Sequence, residues 1–270
     1  MSPEEIASVL RLTKIKTTKE KMSVKIWIIA TGWNCEKYAR KCIDSVLAQS
    51  YENFHLIIIN DGSTDSTEKS LAGLSGNKTT IFNYGENLGA AYRRWMVMMN
   101  PQIGSEDVIL LLGLDDELLP GALEKIAAQY EAGKWMTYGN WINQRGRKNI
   151  VPLGFPPIVH AKRSYRSIQY RSTAPNTFKK KLILQLTEDD FKVNGEWVQS
   201  CTETNLMFCC LEMCGEKRIG IIYDPIYLYN ESRKEGSLDR WGSKYKLNLL
   251  SIFQQRPIKE LLKDYEHESR

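Results

Sequence analysis

Short apolar runs that end in turn residues alternate along this chain with segments of helical periodicity. The apolar runs predict buried β-strands, which we place at Val24–Ala30, Phe54–Asn60, Thr79–Tyr84 and Asp107–Leu114. The segments between and after them carry apolar residues at helical spacing, over Glu36–Gln49, Ser66–Leu74, Gly89–Asn100 and Pro120–Glu131. Strands and helices that alternate at this pace predict an α/β fold, in which right-handed crossovers build a mostly parallel sheet flanked by helices.

The second half of the chain follows this order less regularly. Four prolines within residues 142–176 predict a loop-rich region. Beyond it the pattern predicts a helix over Trp197–Cys214, a strand over Ile219–Tyr223 and a C-terminal helix over Tyr245–Leu262, interrupted near Pro257. We therefore expect three parts, which are a basic N-terminal arm or short helix (1–22), one domain (23–230) and a C-terminal helical tail (231–270).

Composition narrows the class of protein without naming a chemistry. The chain has 270 residues with a formal net charge of +5, long enough for one large domain or two small ones. No apolar run approaches the roughly 20 residues that cross a bilayer, and no signal peptide opens the sequence. The six cysteines fit no zinc-binding spacing. We therefore expect a cytoplasmic protein whose cysteines are reduced and packed in its interior.

Positive charge is concentrated in one stretch of the sequence. Between Trp141 and Lys181 there are ten basic residues and no acidic ones. This stretch is either a solvated basic loop or a cationic wall beside the functional site, which would attract a diphosphate or an anionic acceptor. The basic residues of the C-terminal tail are interleaved with acidic ones, so they favour a solvated helix over peripheral contact with the inner face of a membrane.

Two acidic clusters carry the candidate chemistry. Asp61 follows the second predicted strand, and Asp115 and Asp116 follow the fourth. Ligands of open α/β sheets bind just beyond the carboxyl ends of such strands, and hard divalent cations prefer carboxylate oxygens. The sequence therefore predicts a nucleotide bound together with a metal ion, Mg²⁺ or Mn²⁺.

The order of the motifs resembles the family 2 glycosyltransferases, which have the GT-A fold. The resemblance covers residues 24–230 and rests on six segments of this sequence. They are Trp27–Asn34, Ser45–Tyr51, Asn60–Asp65, Asn87–Gly89 with Arg94, Leu114–Pro120, and Glu203 with the helix that follows it. The resemblance implies a Rossmann-like sheet with a C-terminal helical extension. It also implies a nucleotide-binding half (23–120) and an acceptor-binding half (121–230).

The resemblance further implies a role for individual residues. Glu203 is the expected general base for an inverting transfer from a nucleotide diphosphate sugar, of the UDP or dTDP type, to a glycan or glycolipid hydroxyl. Asp115 and Asp116 are the expected metal ligands. The carboxylate of Asp61 can accept the imide N–H of uracil or thymine, which cytosine lacks. The full set of expected nucleotide-binding residues is Ala30, Thr31, Gly32, Asn34, Asp61, Asn87, Gly89, Arg94, Leu114 and Asp115.

The sequence departs from the family pattern at Gly113, where the metal motif usually begins with an acidic residue. A non-catalytic relative that binds nucleotide sugars is therefore an alternative function, as is a transferase acting on modified nucleic acid. A nucleotidyltransferase is less favoured, because the first turn lacks a Gly-rich phosphate loop. Each site residue also has a structural reading: Asp61 in a turn, Asp115–Asp116 as a helix cap, Glu203 as compensation of its helix dipole, and Arg94 as an exposed helix residue. Five aromatic residues are expected in the core or stacked on a sugar, namely Trp33, Trp135, Tyr138, Trp141 and Trp197.

Overall fold

The computed structural model describes residues 23–147, 154–231 and 237–263, with the backbone alone for 237–241. Its strands in chain order are β1 (Ile26–Gly32), β2 (Phe54–Asp61), β3 (Thr79–Tyr84), β4 (Val108–Gly113), β5 (Glu117–Leu118), β6 (Met136–Asn143), β7 (Asn176–Lys179), β8 (Lys192–Val193), β9 (Glu196–Trp197) and β10 (Ile219–Tyr229). Its helices are α1 (Ala39–Leu47), α2 (Thr67–Ser70), α3 (Ala90–Met98), α4 (Ala122–Glu131), α5 (Pro157–Lys162), α6 (Lys180–Ile183), α7 (Thr202–Cys214) and α8 (Ser237–Gln255). Short 3₁₀ turns occupy Tyr165–Ser167, Glu188–Phe191 and Glu216–Arg218.

Eight strands form one mixed sheet in the spatial order β3-β2-β1-β4-β7-β6-β10-β5. The four strands β3, β2, β1 and β4 are mutually parallel, and β6 pairs in parallel with β10. Strand β7 runs antiparallel to both β4 and β6 and so joins the two parallel groups. The first half of the sheet therefore brings the carboxyl ends of β1, β2 and β4 to one edge, where the acidic clusters begin.

Alternate residues of the central strands enter two separate cores. In β1, Ile26 and Ile28 pack with α1 and α4 on one face, whereas Trp27 and Ile29 pack with α3, α7 and α8 on the other. Successive strand side chains point to opposite faces, so a strand covered on both sides must be apolar throughout. All seven residues of β1 and all eight of β2 are accordingly buried. The predicted sheet flanked by helices is confirmed.

Most predicted elements lie within a few residues of the observed ones, and the differences fall in the second half. Strand β6 ends within the region predicted to be loop-rich (142–176), and strand β7 begins at its end. Neither strand was predicted from the sequence. The strand predicted to end at Tyr223 continues to Tyr229, and the helix predicted from Trp197 begins at Thr202. The predicted arm at 1–22 lies outside the described residues.

The C-terminal helix is anchored to the domain rather than solvated along its length. It ends at Gln255, not near Leu262, and the chain from 256 to 263 is irregular. The guanidinium of Arg166 donates to the Phe253 carbonyl at 2.6 Å and forms a buried ion pair with Glu212 of α7. The backbone N–H of Lys259 donates to the same Glu212 carboxylate. A hydrogen-bonded charge pair thus holds the tail against α7.

All six cysteines lie in the described part of the chain and are free, and five of them are buried. This agrees with their expected packing role. Within the described residues, no helix combines the length and the apolar character that crossing a membrane requires.

Candidate active site

A cleft of about 610 Å³ opens at the carboxyl edge of β1, β2 and β4 and extends to the start of α7. The residues that line it come from both halves of the domain and from α8. From the first half they include Thr31, Gly32, Trp33, Asp61, Asn87, Gly89, Arg94, Gly113, Asp115 and Asp116. From the second half and the tail they include Trp141, Tyr170, Ser172, Asn176, Gln199, Ser200, Cys201, Thr202, Glu203, Tyr227, Tyr229, Glu231 and Lys246.

Two glycines allow the turns at the cleft floor to pack closely. A Cβ atom at Gly32 would lie 2.6 Å from Leu114, so the turn after β1 sits directly on the segment after β4. Gly62 has a φ of 68°, and a Cβ there would lie 2.4 Å from the backbone nitrogen of Asn87. Only glycine tolerates such contacts at positive φ. The turn after β2 therefore draws the loop before α3 into the cleft.

Asp61 is held by that loop. Its Oδ1 accepts hydrogen bonds from the Leu88 N–H (3.1 Å) and from Nε of Arg93 (2.8 Å). Its Oδ2 accepts one from the Gly89 N–H at 2.8 Å. A carboxylate offers about four acceptor positions, so these three donors leave one on Oδ2 for a ligand. Asp61 is 2% exposed, which makes it a buried anion that is paired, oriented and still able to accept.

Arg94 and Glu203 form an ion pair across the cleft. Arg94 is 7% exposed, so its reading as an exposed helix residue is wrong. One Nη of its guanidinium donates to Glu203 and to the Thr202 hydroxyl. Burial raises the pKa of Glu203, but the charge of Arg94 and the hydrogen bonds to the carboxylate outweigh it, so the pKa lies below its ordinary value. Glu203 is thereby kept ionised with 32% of its side chain exposed.

Asp115 and Asp116 occupy different environments. Asp115 is half-buried and lines the cleft. Asp116 is buried, and its two oxygens accept hydrogen bonds from the Tyr227 hydroxyl (2.6 Å) and the Asn230 N–H (2.8 Å). Burial and the neighbouring charge of Asp115 raise the pKa of Asp116 above its ordinary range. Asp116 therefore connects β4 to the end of β10, and Asp115 presents the more accessible carboxylate.

Three other predicted nucleotide-binding residues lie beneath or beside the cleft. Ala30 and Leu114 are fully buried in the core on the α1 side of the sheet. Asn34 has a φ of 52°, accepts the Thr64 N–H at 2.8 Å and donates its own N–H to Ser63. These residues shape the floor and join its two turns.

The cleft also contains two of the aromatic residues that were expected in the core or stacked on a sugar, and one lysine that had no expected role. Trp33 and Trp141 line it, whereas Trp135 and Tyr138 are core residues. The rings of Trp141 and Tyr229 lie 5.3 Å apart. Lys246 reaches the cleft from α8, a helix whose relation to the site could not be inferred from local pattern.

Of the two readings of the Trp141–Lys181 stretch, the cationic wall beside the site is not found among the described residues. None of that stretch's described lysines or arginines lines the cleft. Lys180 donates to the carbonyls of Asn100 and Ile103, and Lys179 pairs with Glu106. Arg166 is paired with Glu212. The absence of acidic residues within the stretch was misleading, since the acidic partners of these basic residues come from elsewhere in the chain.

Residues 27–183 match the family described as glycosyl transferase family 2. The match spans more than half of the sequence and includes β1, β2, β4 and the acidic turns of the cleft. The chain therefore belongs to this family, and its fold is the GT-A fold.

Individual relatives are similar over part of their length. Glycosyltransferase GlyA of Streptococcus pneumoniae is 46% identical over 22% of this chain and 11% of its own. A teichoic acid poly(glycerol phosphate) polymerase of Staphylococcus epidermidis is 36% identical over 37% of this chain and 14% of its own. The chain thus spans a small share of these relatives.

Solved structures are similar in fold at low sequence identity. S. aureus TarS 1-349 in complex with UDP-GlcNAc has a TM-score of 0.60 at 16% identity, covering 88% of this chain and 68% of that one. Glucosyl-3-phosphoglycerate synthase of Mycobacterium tuberculosis, in complex with Mn²⁺, UDP and its product, has a TM-score of 0.56 at 14% identity. The matched region covers 95% of this chain and 85% of the synthase chain.

Proposed function

We propose that this protein transfers a sugar from a uridine or thymidine diphosphate sugar to a hydroxyl of a glycan or glycolipid acceptor, with inversion at the anomeric carbon. The observation that carries the proposal is the convergence of Asp61, Asp115 and Glu203 on one cleft of about 610 Å³. These three carboxylates come from distant parts of the sequence and have separate environments. Their placement matches the three tasks of base recognition, diphosphate binding and proton removal.

Base recognition is assigned to Asp61. The one acceptor position left on its Oδ2 suits a single N–H donor, and the imide N–H of uracil or thymine is such a donor. Cytosine has a lone pair at that ring position, which would face the carboxylate. The donor in complex with TarS is UDP-GlcNAc, in agreement with this preference. The sugar itself is left open.

Proton removal is assigned to Glu203. Its carboxylate accepts the proton of the acceptor hydroxyl as the hydroxyl oxygen bonds to the anomeric carbon. The bond from that carbon to the leaving phosphate oxygen breaks, and its electron pair stays with the diphosphate. Attack opposite to the leaving group inverts the anomeric centre. General base catalysis of this kind typically contributes ~10²–10⁴-fold, and Arg94 keeps Glu203 in the ionised form that it requires.

A divalent cation is proposed to bind in the cleft beside Asp115. Within the described residues there is no group of three or more His, Cys, Asp or Glu that could hold a metal ion by itself. Mg²⁺ and Mn²⁺ are commonly held by one or two carboxylates together with substrate phosphates, and Asp115 offers one such carboxylate. The bound ion would stabilise negative charge on the leaving diphosphate. Asp115 is its proposed principal ligand, and Asp116 orients the turn that carries it.

The acceptor is proposed to be a surface glycan or its lipid-linked precursor. One relative is named as a teichoic acid poly(glycerol phosphate) polymerase. Trp141 and Tyr229 line the cleft and offer apolar ring faces of the kind on which sugar rings pack. Nucleic acid is less favoured as an acceptor, because much of the basic stretch is paired inside the domain.

The test compares the parent with Glu203→Gln in two assays. Thermal stabilisation by UDP, dTDP, CDP and GDP, with and without Mn²⁺, reports binding, since a ligand of the folded state raises the melting temperature. Release of UDP from a panel of UDP-sugars reports turnover, either to an acceptor extract or to water. We expect selective stabilisation by UDP or dTDP in both proteins, and turnover at least 100-fold lower in the variant.

Glu196→Gln is the matched control, since Glu196 is exposed on β9 and does not line the cleft. It should behave as the parent in both assays. Equal turnover by Glu203→Gln and the parent would remove Glu203 from the mechanism. The lack of stabilisation by any nucleotide would refute the proposed function as a whole.

A further inference from the structure

The cleft is rich in carboxylates and poor in cations. Five carboxylates line it, those of Asp61, Asp115, Asp116, Glu203 and Glu231. Among the described residues only two cations do so, Arg94 and Lys246. A nucleoside diphosphate brings at least two further negative charges into this space. Beyond the proposed divalent cation, its binding is favoured by a positive side chain that the protein has not already neutralised.

Arg94 is not such a side chain. Its guanidinium pairs with Glu203 and also donates to the Thr31 hydroxyl, to the Thr202 hydroxyl and to the Leu112 carbonyl at 3.2–3.3 Å. Its contacts thus use all three nitrogens. Recruiting Arg94 to a phosphate would leave Glu203 without its counter-charge.

Lys246 is differently placed. It is half-buried and has no hydrogen-bond or ion-pair partner among the described residues. It also acts electrostatically on Cys201, the residue before α7. Burial raises the pKa of the Cys201 thiol, and the charge of Lys246 lowers it. Cys201 precedes Glu203 by two residues, and Cys201, Glu203 and Lys246 all line the same cleft.

The register of α8 explains why a lysine of this helix points inward. Leu249 and Phe253 lie three and seven residues after Lys246, on the same helical face, and both are buried in the core against α7. The Phe253 carbonyl is fixed by Arg166. Lys246 therefore extends the buried face of an anchored helix toward the cleft, and its position is set by packing.

We propose that Lys246 binds the diphosphate of the donor and stabilises its charge as it leaves. The inference rests on the proposed function. In any such donor the leaving phosphate oxygen is bonded to the anomeric carbon, which must lie beside the hydroxyl that Glu203 deprotonates. The diphosphate is therefore confined to the neighbourhood of Glu203, where Lys246 provides a cation that is unpaired among the residues the structure describes. A charge-assisted hydrogen bond to phosphate is the interaction expected there.

The test measures binding of UDP and of uridine to the parent, Lys246→Gln and Lys246→Arg by calorimetry. We expect Lys246→Gln to weaken UDP binding roughly 10- to 100-fold and to leave uridine binding unchanged. Lys246→Arg should restore most of the UDP affinity, because arginine keeps the charge. Lys244→Gln is the matched control on the exposed face of the same helix, and it should change UDP binding less than 3-fold.

Several outcomes would overturn the inference. UDP binding by Lys246→Gln equal to that of the parent would do so, and so would an equal loss of UDP and uridine, which indicates a disturbed cleft. A variant that binds UDP normally but has a raised KM for the acceptor would place Lys246 at the acceptor instead. If the parent itself binds no nucleotide, the proposed function fails. The inference alone fails if the parent binds UDP and Lys246 does not contribute.

Discussion

Substitution of Arg94 by glutamine should shift the pH dependence of turnover toward higher pH. The glutamine keeps a polar side chain of moderate length but removes the charge that holds Glu203 ionised. Burial then acts on Glu203 without its main opposing interaction, so the pKa of the carboxyl rises. Because the general base works only when ionised, the acid limb of kcat/KM moves upward with that pKa.

The size of the shift follows from the contact and the exposure. An opposite charge in direct contact typically changes a carboxyl pKa by about one to three units. Glu203 is 32% exposed, so solvent screening places the expected shift of the limb near the lower end, at about one pH unit. On the acid side, where activity is proportional to the ionised fraction, this is a loss of roughly tenfold in kcat/KM.

The assay is UDP release from the preferred UDP-sugar between about pH 4 and pH 9. Arg93→Gln is the control, since it removes the same charge one residue away. Arg93 pairs with Asp61 instead, so this variant should weaken UDP binding and leave the limb in place. The reasoning is refuted if Arg94→Gln leaves the limb unchanged, or if Arg93→Gln moves it equally.

Three predictions concern stability, each measured by urea unfolding. Arg166→Met should lower the free energy of unfolding by about 3–5 kcal/mol, because it leaves the carboxylate of Glu212 buried and unpaired. The double variant Arg166→Met/Glu212→Leu should recover most of that stability. A double variant as unstable as Arg166→Met alone would contradict a pairing effect. Gly62→Ala should destabilise the fold more than Gly133→Ala, because both glycines have positive φ but only a Cβ at Gly62 would lie 2.4 Å from a backbone atom, the nitrogen of Asn87; equal losses would contradict this steric effect. Phe253→Ala should lower the free energy of unfolding by about 3–5 kcal/mol. It should also weaken UDP binding, because it loosens the helix that carries Lys246. Unchanged UDP affinity would contradict the dependence of UDP binding on the packing of this helix.

The first half of the fold was predictable because local pattern and tertiary environment agree there. A strand such as β1 is apolar throughout, since helices cover both faces of the sheet, and its turn chemistry marks where it ends. Strands β6 and β7 lack this agreement. β7 has four residues and lies in a proline-rich segment, and it is a strand because it fills the space between β4 and β6. No local signal specifies such a pairing.

The candidate site was predictable where a residue follows its strand directly. Asp61 and Asp115 lie at strand ends, and the carboxyl ends of neighbouring parallel strands meet at one edge. Lys246 shows the opposite case. Its role depends on how α8 docks, which is decided by Arg166, Glu212 and the irregular chain after Gln255. The two readings of the basic stretch stayed open for the same reason, because a cluster of charges in sequence does not reveal its partners in space.

The adjacent residues Arg93 and Arg94 pair with two different carboxylates of the cleft. Successive residues of a helix point about 100° apart, so Arg93 reaches Asp61 while Arg94 reaches Glu203. The resemblance implies a nucleotide contact for Arg94, and this stays a prediction; in the structure Arg93 pairs with the proposed base-recognition residue and Arg94 with the proposed general base. With both arginines paired to carboxylates, neither is free to neutralise the donor. In the proposed function the positive charge at the diphosphate comes from a bound cation and from Lys246, and under that proposal the anchored C-terminal helix contributes to the active site.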